Sequence, residues 1–134
     1  MKLKLAVAVC LVSSTFTAFD AFGQSQADMN RSTAQEARLA DQALNAQYTA
    51  TRNQLSAPTR ALLRDAQRSW ITFRDQECRL LASGVDGGSA YPMVISVCLT
   101  RLTTDRIREL RALAECEEGD LACPAQAAPA STNR

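Results

Sequence analysis

The sequence predicts an all-α fold, a small three-helix domain whose first two helices form a tight antiparallel hairpin stapled by disulfides. Three observations carry that prediction. Apolar residues recur at helical spacing in three separate stretches, and no stretch alternates apolar and polar residues as a half-buried strand would. The intervals between the stretches hold Pro58 and then Gly84, Gly87, Gly88 and Pro92, which interrupt helices.

Residues 1–23 read as a signal peptide ahead of that domain. Lys2 and Lys4 give a positive start, Leu5 to Val12 an apolar run, and Ala21-Phe22-Gly23 a small-x-small cleavage site. The run is too short to span a bilayer, and no later segment approaches the length required. Cys10 lies inside the apolar run, where it does not serve as a lipidation site. The mature chain is therefore expected to begin at Gln24, in a periplasm or outside the cell, with no integral membrane segment.

Residues 24–32 are polar and are expected to be flexible. Thr33 followed by Glu36 reads as a capping box opening the first helix, with the stripe Ala37, Ala40, Leu44, Tyr48, Thr51, Leu55. Ser56 then caps a second helix, with Pro58 tolerated in its first turn. That helix places Leu63, Ala66, Trp70, Phe73, Glu77 and Leu81 on one face. Ser83 to Tyr91 form a glycine-containing loop. A third helix from about Pro92 aligns Ile95, Leu99, Leu102, Arg106, Leu110 and Leu113. The helical domain is thus expected over 33–116, followed by a cysteine-containing tail over 117–134 whose Ala/Pro-rich end is read as disordered.

Composition narrows the chemistry. Lys2, Lys4 and Asp20 fall in the signal segment, so of 15 basic and 14 acidic residues the mature chain keeps 13 Arg against 13 Asp plus Glu. This balance offers no basic excess for nucleic acid or an anionic membrane. The chain contains no histidine. That removes Ser-His-Asp and Cys-His catalysis and histidine-ligated zinc. No cofactor, metal or enzymatic activity is expected.

Cys78, Cys98, Cys116 and Cys123 form an even set in an oxidising compartment, so two disulfides are expected. Cys78 ends the second helix and Cys98 sits in the opening turns of the third, so antiparallel packing brings them together. Cys116 lies about 27 Å beyond Cys98 along a continuous helix, far outside the roughly 4.4–6.8 Å that a disulfide spans between Cα atoms. The pairing is therefore Cys78–Cys98 and Cys116–Cys123. The first closes a loop nominally worth about 3 kcal/mol.

Several polar residues fall on apolar faces. Gln67, Arg74 and Glu77 lie near Trp70 on the wheel, whereas Arg68 and Asp75 face away. Asp41 sits beside Leu44 and Tyr48, and Arg106 falls among Leu99, Leu102 and Leu110. Buried charges require partners. Counting back from the turn and the Cys78–Cys98 staple predicts an interhelical network of Asp41, Gln67, Trp70, Arg74, Glu77 and Arg106, with Arg106 stacked on the indole. No concave or glycine-rich element converges there, so the cluster is read as fixing helix register.

Taken in order, Asp41-x-x-Leu44-Asn45-x-x-Tyr48, then Ala66-Gln67-Arg68-x-Trp70-x-x-Phe73-Arg74-Asp75-x-x-Cys78, resemble the LprI-type lysozyme inhibitor family. Gly87-Gly88-Ser89, Pro92-Met93, Cys98 and Leu102-Thr103-x-x-Arg106-x-x-Glu109-Leu110 continue the pattern. The resemblance covers residues 36 to 113 and implies a small exported helical domain that inhibits lysozyme at the cell envelope, with lysozyme as partner. Some members carry a further cysteine before the first helix, which is missing here, and the founding name denotes a lipoprotein. Within such an inhibitor, the Ser83–Tyr91 loop is the expected contact, with Arg79, Ser83, Asp86, Gly87, Gly88, Ser89 and Tyr91 as its contributors. The structural alternative for the same residues is a Gly87-Gly88 turn, Ser89 as helix cap and Tyr91 as core cover. A periplasmic module that binds another protein or peptidoglycan, without inhibiting, is the alternative function.

Overall fold

The computed structural model describes residues 17–117 and 119–127. Three helices follow one another: α1 over Thr17–Gln54, α2 over Ala57–Ala82 and α3 over Tyr91–Ala114, with a single 3₁₀ turn at Ser83–Val85. Most of the expected signal segment lies outside the described residues.

The first helix starts far earlier than the capping box predicts. No Gly or Pro occurs between Gln24 and Gln54, so nothing in the backbone stops the helix at Thr33. The Thr33 hydroxyl donates back to the Met29 carbonyl oxygen at 2.8 Å, the habit of a threonine in mid-helix. Residues 25–32, expected to be loose, instead form regular helix.

The turn between α1 and α2 is short because Leu55, 1% exposed, plugs the end of the core. Ser56 occupies the N-cap position of α2 in an extended conformation. Its hydroxyl meets that of Thr59 at 2.7 Å rather than capping a backbone amide. Pro58 sits in the first turn, where its missing N–H costs nothing.

Cross-helix bonds fix the arrangement. Arg74 of α2 reaches Asp41 of α1, and Cys78 joins Cys98 across α2 and α3 with Cα atoms 5.5 Å apart. Thr51 of α1 donates to the Leu110 carbonyl oxygen of α3 at 2.9 Å. Thus α1 and α2 run antiparallel, as do α2 and α3, while α1 and α3 run parallel. The tight seam, however, is between α1 and α3 rather than within the α1–α2 hairpin. Small side chains explain it. Ala37, Ala40 and Thr51 on α1 and Ser96 and Thr103 on α3 are buried or half-buried, and backbones approach closely where side chains are short.

Leu44, Leu55, Leu63 and Leu110 form the core, with Tyr48, Trp70, Ile107 and Leu113 packed against them. The inward face of α2 is Leu63, Gln67, Arg74, Cys78 and Ala82. Phe73 and Leu81, expected inside, are each 52% exposed. The disulfide and the Gln67–Arg106 contact aim α2 at α3, which turns Phe73 and Leu81 out of the hairpin.

The tail also departs from expectation. After Cys116, which pairs with Cys123 at a Cα separation of 5.7 Å, the chain folds back over the α1–α2 turn. Ser56 N–H donates to the Ala125 carbonyl oxygen at 3.0 Å, and Ala127 N–H to that of Gln54 at 2.7 Å. Leu55 and Gln126 form an isolated antiparallel bridge. Residues 119–127, read from composition as part of a disordered tail, are a clasp across the foot of the bundle.

Candidate functional site

Two regions carry the residues singled out by the sequence: the charged cluster at Trp70 and the loop between α2 and α3.

At the cluster, Arg74 is 9% exposed and spends its donors inside the fold. One terminal nitrogen donates to Asp41 at 2.7 Å and to the Thr103 hydroxyl at 3.1 Å. Its Nε donates to Asp75 at 3.0 Å. Arg106 donates from Nε to Gln67 Oε1 at 3.0 Å and from a terminal nitrogen to Glu109 at 2.8 Å. Both guanidinium groups lie over the Trp70 ring, 5.4 Å and 5.8 Å from its centroid.

Asp41, Gln67, Trp70, Arg74 and Arg106 are thus brought together, while Glu77 is not. It is half-buried and makes no hydrogen bond or ion pair among the described residues. Asp75, expected to face away, closes on Arg74 in its place. Thr103 and Glu109 were also missed as members. With both guanidiniums committed internally, the cluster has little donor capacity left for a ligand.

The loop differs. Ser83 to Ser89 are all exposed, yet their backbone is tightly bonded. Asp86 N–H donates to the Ser83 carbonyl oxygen at 3.4 Å and Gly88 N–H to that of Val85 at 3.0 Å, while Tyr91 N–H reaches Gly88 at 3.1 Å. Gly87 has φ +71°, a conformation that favours glycine. At Gly88 any Cβ would lie 3.1 Å from the Val85 carbonyl oxygen. The Asp86 carboxylate accepts from Gly87 N–H at 3.1 Å. Ser89 does not cap α3: Ala90 is the N-cap residue, without a side-chain cap. The Ser89 carbonyl oxygen instead accepts from the Asn30 side chain of α1 at 2.9 Å. Gln26 supports this contact from one turn earlier, donating to Asn30 at 3.0 Å.

Arg79 and Tyr91 flank the loop and line a groove of about 300 Å³ with Arg74, Asp75, Cys78, Ile95 and Leu99. Arg79 is exposed and has no hydrogen bond or ion pair among the described residues. Tyr91 is half-buried and lines the groove. The loop is therefore a rigid projection with the disulfide beneath it and an unpartnered guanidinium beside it. Sequence reasoning missed Gln26 and Asn30, which brace it from α1. The uninterrupted run from Gln24 was the available signal.

No described helix is long and apolar enough to cross a membrane. Among known proteins, the chain is similar over 107 residues, at 36% identity, to a protein of Rhizobium meliloti (strain 1021) described as "Uncharacterized protein R02472". The similarity covers 70% of this chain and 77% of that relative. No solved structure matches. The model of the family described as "Lysozyme inhibitor LprI" matches residues 20–110, which span most of α1, the cluster, the loop and most of α3. The chain belongs to the lysozyme inhibitor LprI family.

Proposed function

We propose that this chain is an exported lysozyme inhibitor-like protein that binds lysozyme and blocks its active-site cleft with the Ser83–Tyr91 loop. The leader is removed after Gly23, and the two disulfides suit an oxidising compartment. The observation that carries the reading is a rigid, exposed loop beside Arg79, which has no ion pair among the described residues. Lysozyme cleaves glycan between two carboxylates in a cleft. An inhibitor fills that cleft best with a preorganised projection, because little conformational entropy remains to be lost on binding. The Arg79 guanidinium is positioned at the loop base to pair with a cleft carboxylate, and Tyr91 supplies rigid contact area. No catalytic role is assigned to any residue.

A second reading is a non-inhibitory envelope module that binds another protein or peptidoglycan. It is favoured by Phe73, Leu80 and Leu81, which leave apolar area uncovered on α2 at 52%, 66% and 52% exposure. Titration of the disulfide-intact protein into a lysozyme turbidity assay separates the two. Inhibition that disappears when residues 84–91 are replaced by a neutral linker, with the melting curve unchanged, supports the loop. No inhibition at large molar excess sinks the inhibitor reading.

A further inference from the structure

The foot of the bundle holds a second feature, remote from the loop. Where α1 turns into α2, six residues line a groove of about 250 Å³: Tyr48, Arg52, Ala57, Arg60, Ala61 and Arg64. Three are arginines and none is acidic. We propose that this groove is a binding site for a tetrahedral oxyanion of the phosphate class.

The arginines differ in how they are held. Arg60 is fixed, its Nε donating to the Leu55 carbonyl oxygen at 2.8 Å, and its terminal nitrogens have no partner among the described residues. Arg52 has neither hydrogen bond nor ion pair among them. Arg64 shares Asp65 through Nε at 2.9 Å. One exposed carboxylate thus stands against three guanidiniums. Arg31, Arg74, Arg106 and Arg108, by contrast, each have a carboxylate partner.

Gathering like charges around one hollow is unfavourable until an anion supplies the opposite charge. Ala57 and Ala61 keep the floor low, so an anion approaches without displacing a bulky side chain. A planar carboxylate is satisfied by one guanidinium fork. Three guanidiniums around one hollow exceed that requirement and suit an oxyanion with acceptors on several sides. Tyr48 adds a hydroxyl with no hydrogen bond among the described residues.

A phosphoryl oxyanion reaches such a site either as free phosphate or on a lipid headgroup. The test is an amide and arginine side-chain NMR titration of the mature, disulfide-intact protein with inorganic phosphate at constant ionic strength. Saturable shifts at Ala57, Ala61 and the Arg60 Nε are expected. The exposed double variant Arg52→Gln/Arg64→Gln should keep its melting curve and bind about tenfold more weakly or worse, the scale of losing a charge-assisted hydrogen bond. Acetate at equal concentration should leave the resonances in place. Co-sedimentation with phosphatidylglycerol vesicles but not phosphatidylcholine vesicles, abolished in the double variant, assigns the oxyanion to a headgroup. Phosphate shifts without vesicle binding assign it to the soluble ion. Absence of saturable shifts with phosphate, shifts unchanged in the double variant, or equal shifts with acetate overturn the proposal.

Discussion

The side-chain amide of Asn30 donates to the carbonyl oxygen of Ser89 at 2.9 Å, bracing the α2–α3 loop from a helix 59 residues earlier in the chain. The bond is exposed, so its net worth to global stability is about 1 kcal/mol or less. Its larger effect is on loop order. Asn30→Ala should leave the melting temperature nearly unchanged, speed amide exchange at Gly87 to Ser89, and weaken lysozyme inhibition. Unchanged exchange in those amides would remove Asn30 from the account of loop rigidity.

Arg79 has no hydrogen bond or ion pair among the described residues, so replacing it should not disturb the fold. Arg79→Ala is expected to alter stability by no more than about 0.5 kcal/mol. Loss of a charge-assisted contact should reduce affinity for lysozyme by roughly tenfold to a hundredfold. Arg79→Lys should recover only part, since a point charge does not reproduce a guanidinium fork. Inhibition curves for the three proteins check this.

Arg74 and Asp41 form one ion pair with unequal environments. The arginine side chain is 11% exposed and the aspartate 53%. Arg74→Ala removes buried stem packing and three hydrogen-bonded contacts, and should cost about 2–3 kcal/mol. Asp41→Ala leaves the guanidinium with Asp75 and Thr103 and should cost about 0.5–1 kcal/mol. Urea unfolding followed by Trp70 fluorescence measures both, and a cycle with Thr103→Val isolates the shared term.

The clasp predicts a stability change from a truncation that composition alone would call neutral. Ending the chain after Cys123 keeps the second disulfide but removes two backbone hydrogen bonds to the α1–α2 turn and the Pro124 cover near Leu55. A loss of about 1–3 kcal/mol is expected, with faster amide exchange at Ser56. A melt identical to that of the full chain would mean that the clasp adds nothing.

Asp65 titrates below its ordinary range because Arg64 hydrogen-bonds its carboxylate. The folded value lies below the unfolded one, so this contact favours folding above the unfolded pKa and its effect disappears as pH falls through the folded value. Both groups are fully exposed, so the observable is the titration rather than the melt. Arg64→Gln should raise the Asp65 midpoint toward 3.8, as read by carboxyl-carbon NMR.

Much of this architecture was legible in the residues. The three helical stripes, the interruption at Gly84 to Pro92 and the spacing of the cysteines depend on local rules, and each has its counterpart in the fold. Asp41, Arg74 and Arg106 stood out because charges on an apolar face need partners. What escaped was set by packing. Phe73 and Leu81 match an inward stripe on a helical wheel, yet the roll of α2 about its axis is decided by α3 and the disulfide. Residues 25–32 look polar and loose, but helix has no reason to stop there, and Asn30 gains a partner on the loop and Gln26 one on the opening of α3. The clasp depends on backbone hydrogen bonds, which leave no trace in side-chain pattern.

The clasp and the loop occupy opposite ends of α3, separated by about 36 Å of helix, and this polarity governs how the protein should be held. The described C-terminal residues leave at the foot, so a fusion or surface linkage there presents the loop outward. Residues at the start of α1 stand alongside the loop through Gln26 and Asn30. A bulky N-terminal fusion would therefore crowd the proposed contact surface, and a chain immobilised by its N-terminus should register weaker lysozyme capture than one immobilised by its C-terminus.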